Sequence, residues 1–262
     1  KIDRRNLEQR IIKMIKNEKY KEYNIYYPEK EIFYKELGEK IVDKQYEELE
    51  VYKNTERNYV AKIEVEGKKY ILKSPKSETI IPQRRVQTLI KNGEALNTLI
   101  NVRKRVKEGM KEYAVPFLAI VKKGIFIRES YILMECIEGE PIKSVADIDE
   151  IMKIVNKLHK EEIYHGDLNT SNFIKTKNGI RVIDTQGKKE RFFYFKRWND
   201  FFIMKNDLLV IEKKYEVEEK YYKKNKDISY YMILAVRKIK KLKFIEWIKS
   251  KKKNLRKKGW RI

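Results

Sequence analysis

The chain is 262 residues long, 42% apolar, 39% charged and 12% aromatic, with a net charge of +23 at pH 7. That length buries a substantial core, as one two-lobed domain or two small ones, and the composition excludes a disordered or collagen-like chain. One cysteine, Cys136, excludes an internal disulfide framework, and two histidines leave a zinc site almost without ligands.

The excess positive charge implies an anionic partner, nucleic acid and an acidic membrane face among them, although a lysine-rich composition is also a common compositional bias. The longest apolar runs, such as Ala114 to Val121, fall well short of the roughly 20 residues that span a bilayer. No stretch reads as a signal peptide, so a soluble, cytoplasmic chain is expected.

Residues 1–45 read as an N-terminal helical extension, with Leu7, Ile11, Met14 and Ile15 at helical spacing and a second helix around Glu31 to Val42. The Tyr20 to Tyr27 stretch suits core filling better than a stacking surface. From Tyr46 the pattern changes to strands: Glu48 to Tyr52, Tyr59 to Val65 with alternating apolar residues, Gly67 in a turn, and Lys69 to Lys73. The connection Lys53 to Asn58 holds no glycine.

After Pro82, Val86, Leu89, Ile90, Gly93, Leu96, Asn97 and Ile100 mark one face of a long helix running to about Val106. Ala114 to Val121 and Ile125 to Cys136 complete an antiparallel sheet of about five strands. Asp147 to Lys160 is amphipathic, with Ile151, Ile154, Val155 and Leu158 on the inward face. Further helices are expected near Asp200 to Val210 and from Ile228 to about Lys243.

The stretch from Tyr164 to Gly187 carries the chemistry. Asp167 and Asn172 sit five apart on a segment too polar for a strand, and Asp184 closes the apolar run Ile180, Val182, Ile183 after the Lys177-Asn178-Gly179 turn. Phosphoryl transfer from a nucleotide needs a carboxylate to orient and deprotonate the acceptor hydroxyl, and oxygen ligands for the magnesium ions that bridge the phosphates. Each of the three residues alone would be ordinary turn chemistry. Together, with His165 and Gly166 in front, they have the spacing of a kinase catalytic loop.

At these residues the sequence resembles the protein-kinase-like superfamily, in the branch where His-Gly-Asp replaces His-Arg-Asp. More narrowly it resembles the lipopolysaccharide core heptose(II) kinase family, through His165-Gly166-Asp167 with Asn172-Phe173, Ile183-Asp184, Gly187-Lys188, Glu94 to Leu99 and Lys226 to Tyr231.

The resemblance implies an α+β, two-lobed protein-kinase-like fold: a small antiparallel sheet lobe over residues 46–137 plus a helical lobe over 138–236. It implies ATP and Mg2+ as cofactors, Asp167 as catalytic base, and Asn172 and Asp184 as metal ligands. Lys73 would pair the α and β phosphates, Glu94 would pair Lys73, and Ile71 and Met134 would line the adenine. Met134 to Gly139 would be the hinge, with Glu135 and Ile137 offering backbone groups to the base. The acceptor implied is a heptose of the lipopolysaccharide core, at the cytoplasmic face of the inner membrane.

The chain departs from protein kinases in its glycine-free loop, in Thr185-Gln186-Gly187 after Asp184, and in lacking Ala-Pro-Glu, which argues against a phosphorylation-switched enzyme. Lys188, Lys189, Arg191, Lys196 and Arg197 would flank the acceptor and hold an anionic sugar, or form a plain basic surface. The basic tail, residues 237–262, holds thirteen lysines or arginines against one acid, Glu246. With Ile239, Leu242 and Ile245 interleaved it suits peripheral contact with an anionic inner-membrane surface, and nucleic acid is the less expected partner. Two other readings stay open: the small atypical kinase of a tRNA-modification complex, which shares His-Gly-Asp-Leu and Thr-Ser-Asn but usually keeps Asp-Phe-Gly, and a pseudokinase scaffold binding anionic lipid or nucleic acid.

Overall fold

A computed structural model of the protein describes residues 15–190 and 193–240. The chain divides into two compact units, with the boundary between Cys136 and Ile137.

The first unit is built on a seven-stranded antiparallel sheet: β1 (Ile15–Tyr20), β2 (Tyr23–Pro28), β3 (Glu47–Asn54), β4 (Tyr59–Val65), β5 (Lys68–Ser74), β6 (Pro116–Lys123) and β7 (Ile127–Glu135). Their spatial order is β1-β2-β6-β7-β5-β4-β3. The helix α1 (Phe33–Val42) lies on one face. There Leu37 and Ile41 join Ile25, Tyr27, Ala61, Ile63, Val65, Tyr70, Leu72, Leu118, Ile120 and Leu133 in one buried cluster. A Cβ at Gly38 would come within 2.7 Å of the Ile25 side chain, so glycine lets α1 lie this close to β2.

The first unit corrects three expectations. Residues 15–28 form a hairpin rather than part of a helical extension, which takes the sheet from about five strands to seven. Tyr23, Ile25 and Tyr27 recur with the period of a strand, and burying Ile25 and Tyr27 is worth more than the weak helical spacing around them. Leu7, Ile11 and Met14 lie outside the described residues.

After the short helix α2 (Ser77–Ile80), the single long helix expected from Pro82 is in fact two pieces, α3 (Pro82–Gln87) and α4 (Gly93–Lys107). Gly93 sits at φ +80°, where a right-handed helix cannot continue, and a Cβ there would run into Ile127. Released from that face, Ile90 is 93% exposed. α4 packs on both β6 and β7, and α2 on β7.

The second unit begins with β8 (Glu140–Pro141) and α5 (Val145–Lys160). Ser144 starts α5 as a full capping box: its hydroxyl accepts Asp147 N–H at 3.1 Å, and the Asp147 carboxylate accepts Ser144 N–H at 3.0 Å. Short strands follow: β9 (Ile163–Tyr164), β10 (Phe173–Thr176), β11 (Gly179–Val182) and β12 (Lys188–Lys189). β10 pairs with β11 and β8, and β12 pairs with β9.

Helices α6 (Phe195–Lys205), α7 (Leu208–Glu212), α8 (Val217–Lys220) and α9 (Ile228–Lys240) complete the described residues of this unit. The helix expected near Asp200 to Val210 is therefore two, because Asp207 caps a new one by accepting Leu209 N–H and Val210 N–H. Trp198 centres the aromatic core, with Phe201, Tyr221 and Tyr230 each within 5.5 Å of its ring.

Candidate functional site

The loop after β9 is held from below by one acid. Asp200, fully buried in α6, accepts His165 N–H at 2.6 Å and Gly166 N–H at 2.9 Å. The buried His159 at the end of α5 places its Nε2 3.4 Å from the same carboxylate and its Nδ1 2.7 Å from the Tyr221 hydroxyl. Burial pushes the His165 imidazole below its ordinary value, against the pull of Asp200 and Asp184. Its Nδ1 accepts Asp167 N–H at 3.4 Å and its Nε2 meets Ile183 O at 3.2 Å, a pattern met by the neutral ring with its proton on Nε2.

On that base Asp167 turns an exposed carboxylate outward. Its carbonyl accepts Asn172 Nδ2 at 2.7 Å and Asn169 Nδ2 at 3.2 Å. With its amide nitrogen donating this way, Asn172 could offer a metal ion only its Oδ1. Asp207 grips the middle of the loop, one oxygen accepting Thr170 N–H and the other the Thr170 hydroxyl, both at 3.0 Å. Ile183 N–H donates to Asn172 O at 2.9 Å, so the residue following it, Asp184, leaves β11 beside Asn172.

Asp184 is exposed and sits at φ +56°. A non-glycine residue in this left-handed region costs roughly 1–2 kcal/mol, and such conformations concentrate at functional sites. The structure thus brings Asp167, Asn172 and Asp184 together. A carboxylate and an amide oxygen are the hard donors that Mg2+ takes when phosphates and water complete its shell, so these residues fit that ion. Among the described residues no group of three or more His, Cys, Asp or Glu could hold a metal by itself.

In the first unit the alternation along β5 points Tyr70 and Leu72 into the α1 core, which turns Ile71 and Lys73 to the opposite face. Ile71 is directly paired with Met134 across β5 and β7, and Lys73 with Ile132. The two expected adenine-lining side chains are therefore neighbours, with half-buried Lys73 two residues along. Glu135 N–H donates to Val115 O at 2.8 Å. Ile137 opens the second unit. The glycine-free turn between β3 and β4 is closed by Thr55 N–H to Asn58 O at 2.9 Å.

Glu94 lies in the first turn of α4, its carboxylate 3.8 Å from Arg84. Its N–H donates at 2.6 Å to Glu78, a buried carboxylate that also accepts the Ser130 hydroxyl at 3.1 Å. Burial pushes the Glu78 carboxyl above its ordinary value, against the hydrogen bonds from Glu94 and Ser130.

Sequence reasoning missed Glu78, Asp200 and Asp207. Only Asp207 left a local signal, an Asp immediately before Leu-Leu-Val. Of the basic residues expected to flank the acceptor or form a plain basic surface, Arg197 takes a structural place instead. Arg197 is buried, and its guanidinium donates to the carbonyls of His159, Glu190 and Phe193 at 2.9, 3.2 and 3.3 Å. Lys188 and Lys189 are half-buried in β12, Lys196 is exposed, and Arg191 lies outside the described residues.

The family model described as lipopolysaccharide core biosynthesis protein (WaaY) matches residues 14–251, across both units. The chain belongs to the WaaY family. One relative, the lipopolysaccharide core heptose(II) kinase WaaY of Escherichia coli, is 27% identical over 182 residues, covering 67% of this chain and 79% of that protein. A second, of the same printed name from Escherichia coli strain K12, is 28% identical over 150 residues, covering 54% of this chain and 63% of its own. The span matched to the WaaY family takes in every candidate site residue, from Ile71 to Asp184.

Proposed function

We propose that this chain is an ATP-dependent kinase that phosphorylates a heptose hydroxyl of the lipopolysaccharide inner core. The observation that carries the reaction class is the closeness of Asp167, Asn172 and Asp184 along one loop: Asn172 Nδ2 donates to Asp167 O, and Ile183, the residue before Asp184, donates its N–H to Asn172 O. The acceptor class rests on membership of the WaaY family and on the names of the two relatives.

In this reading Asp167 accepts the proton of the sugar hydroxyl as that oxygen attacks the γ-phosphorus, and ADP leaves. Asn172 Oδ1 and the Asp184 carboxylate hold Mg2+, which when bound neutralises charge on the phosphates. Lys73 pairs the α and β phosphates and Glu94 orients Lys73. Ile71 and Met134 form the apolar wall for adenine, with the Glu135 carbonyl and Ile137 N–H as its polar edge. The lipid-linked acceptor and the net charge of +23 support work at the anionic inner-membrane surface, with the basic tail in peripheral contact. No described helix is long and apolar enough to cross a membrane.

The test is ADP release with lipopolysaccharide cores truncated at successive sugars, beside Asp167→Asn. Release confined to heptose-containing cores and lost in the variant is expected. ATP binding with no release from any core would overturn the acceptor and direct the search to a tRNA-modification complex or a scaffold.

A further inference from the structure

Helix α9 is seated on α6 by one face only. Ser229 accepts Tyr194 N–H at 3.3 Å, Tyr230 packs on Trp198 and Phe202, and Ile233 is buried. The opposite face carries Ile228, Met232, Ala235 and Ile239, spaced four, three and four residues apart, all exposed. Ile228 is 73% exposed, Ile239 53%, and Tyr231 beside the row 60%. This is an apolar stripe about 16 Å long at 1.5 Å per residue, on the side of α9 away from α6.

Its charge surroundings are one-sided. From Ile228 to Lys240 the helix holds no acid and three cations, Arg237, Lys238 and Lys240, with Lys223, Lys224 and Lys226 just before it. The nearest acid, Asp227, is occupied: it accepts Trp198 Nε1 at 3.0 Å and pairs with Lys223 at 3.0 Å. Soluble monomers rarely leave such a row uncovered. A partner protein would need to bring its own ring of acids. An anionic bilayer offers both components at once, phosphate headgroups for the lysines and an acyl boundary about 5–10 Å deep for the apolar side chains.

We propose that the outward face of α9, centred on Met232 and Ile239, is a membrane-docking surface that inserts into the headgroup region of an anionic phospholipid bilayer. Its purpose rests on the kinase reading, since a lipid-anchored acceptor must be met at the membrane. The physical argument does not. The contact differs in kind from attraction through the tail alone, because the apolar stripe adds a component that salt does not screen.

Co-flotation of the full chain with vesicles of phosphatidylcholine, with and without phosphatidylglycerol, tests it. The native chain is expected to bind the anionic vesicles and to retain part of that binding at high salt. The double variant Met232→Asp, Ile239→Asp, both at exposed positions, should lose the salt-resistant part and bind on the order of tenfold more weakly or worse, at unchanged Tm. The variant Met232→Leu, Ile239→Leu should bind as the native chain does.

Turnover on a soluble core oligosaccharide should be equal in all three, and turnover on vesicle-embedded lipopolysaccharide should fall only in the Asp variant. Equal binding by the Asp variant would overturn the proposal, as would a native dimer that this variant converts to monomers. Vesicle binding as expected with no turnover on any core would support the surface and remove the heptose kinase reading.

Discussion

Asp200 accepts the backbone N–H of His165 at 2.6 Å, and through this bond a fully buried helix residue sets the height of the loop that presents Asp167. Removing the carboxylate in Asp200→Ala strands the N–H groups of His165 and Gly166 at about 1–3 kcal/mol each. Displacement of the loop by about 1 Å is enough to cost on the order of 100-fold in turnover. The expected outcome is a lower Tm with kcat reduced far more than KM for ATP is raised. Asp200→Asn, which keeps one acceptor oxygen, should fall between. Differential scanning fluorimetry beside steady-state ADP release checks both.

Asp184 joins two demands in one residue, a left-handed backbone and an exposed carboxylate. They separate by substitution. Asp184→Gly removes the conformational cost, roughly 1 kcal/mol, and should hold or raise the Tm of the ligand-free protein. Asp184→Asn tolerates the same backbone and should be nearly neutral in stability. Both should abolish the Mg2+-dependent thermal shift given by ATP. A Gly variant that retains that shift would remove Asp184 from the metal site.

Most of what was legible in the sequence was periodic or punctuated. The strand Tyr59–Val65 shows its alternation, the helix ending at Lys160 shows its amphipathic face though not its start at the Ser144 cap, and the Lys177-Asn178-Gly179 turn marks the β10–β11 hairpin. That Asp167, Asn172 and Asp184 lie close together was legible because all three fall within one short stretch at the spacing of a kinase catalytic loop.

What escaped was non-local. Asp200 reaches His165 from 35 residues away and Glu78 reaches Glu94 from 16, and a carboxylate inside a helix gives no sign of what it will meet. The break at Gly93 was hidden because Val86, Leu89 and Ile90 carry on a helical row that the fold leaves unburied. The β1–β2 hairpin was hidden because an edge strand with polar residues on its outer side reads as a charged segment.

Arg197 distinguishes a structural cation from a substrate-binding one. Its guanidinium donates to three carbonyls, stacks 3.8 Å from the Tyr194 ring centroid, and has the Glu190 carboxylate 3.8 Å from Nε. Truncation to Met keeps the stem and strands these groups, a loss of about 3–5 kcal/mol typical of one half of a buried pair. The expected result is a marked drop in Tm, with KM for the core acceptor unchanged in whatever protein stays folded. A raised acceptor KM at native Tm would return Arg197 to the acceptor site.

Glu78 makes a pH prediction with a definite sign. Burial holds its carboxyl above the ordinary glutamate value of 4.5 in the folded protein, so the folded state binds its proton more tightly than the unfolded chain does. The stabilisation from that proton is fully present below the unfolded pKa. It is lost as pH rises through the folded value, so at neutral pH the buried charge works against folding. Glu78→Gln cannot ionise, still accepts Glu94 N–H, and can donate to the Ser130 oxygen instead of accepting from it. This variant should therefore be more stable than the native chain at neutral pH, by about 2–4 °C in Tm per kcal/mol gained, with the difference closing as pH falls toward the ordinary glutamate value. Glu78→Ala should instead lose stability at every pH and raise KM for ATP, because the first turn of α4, which carries Glu94, is no longer anchored. Melting curves across the acid range decide it: a Gln variant whose advantage is the same at every pH would mean that Glu78 does not titrate with a raised pKa in the folded protein.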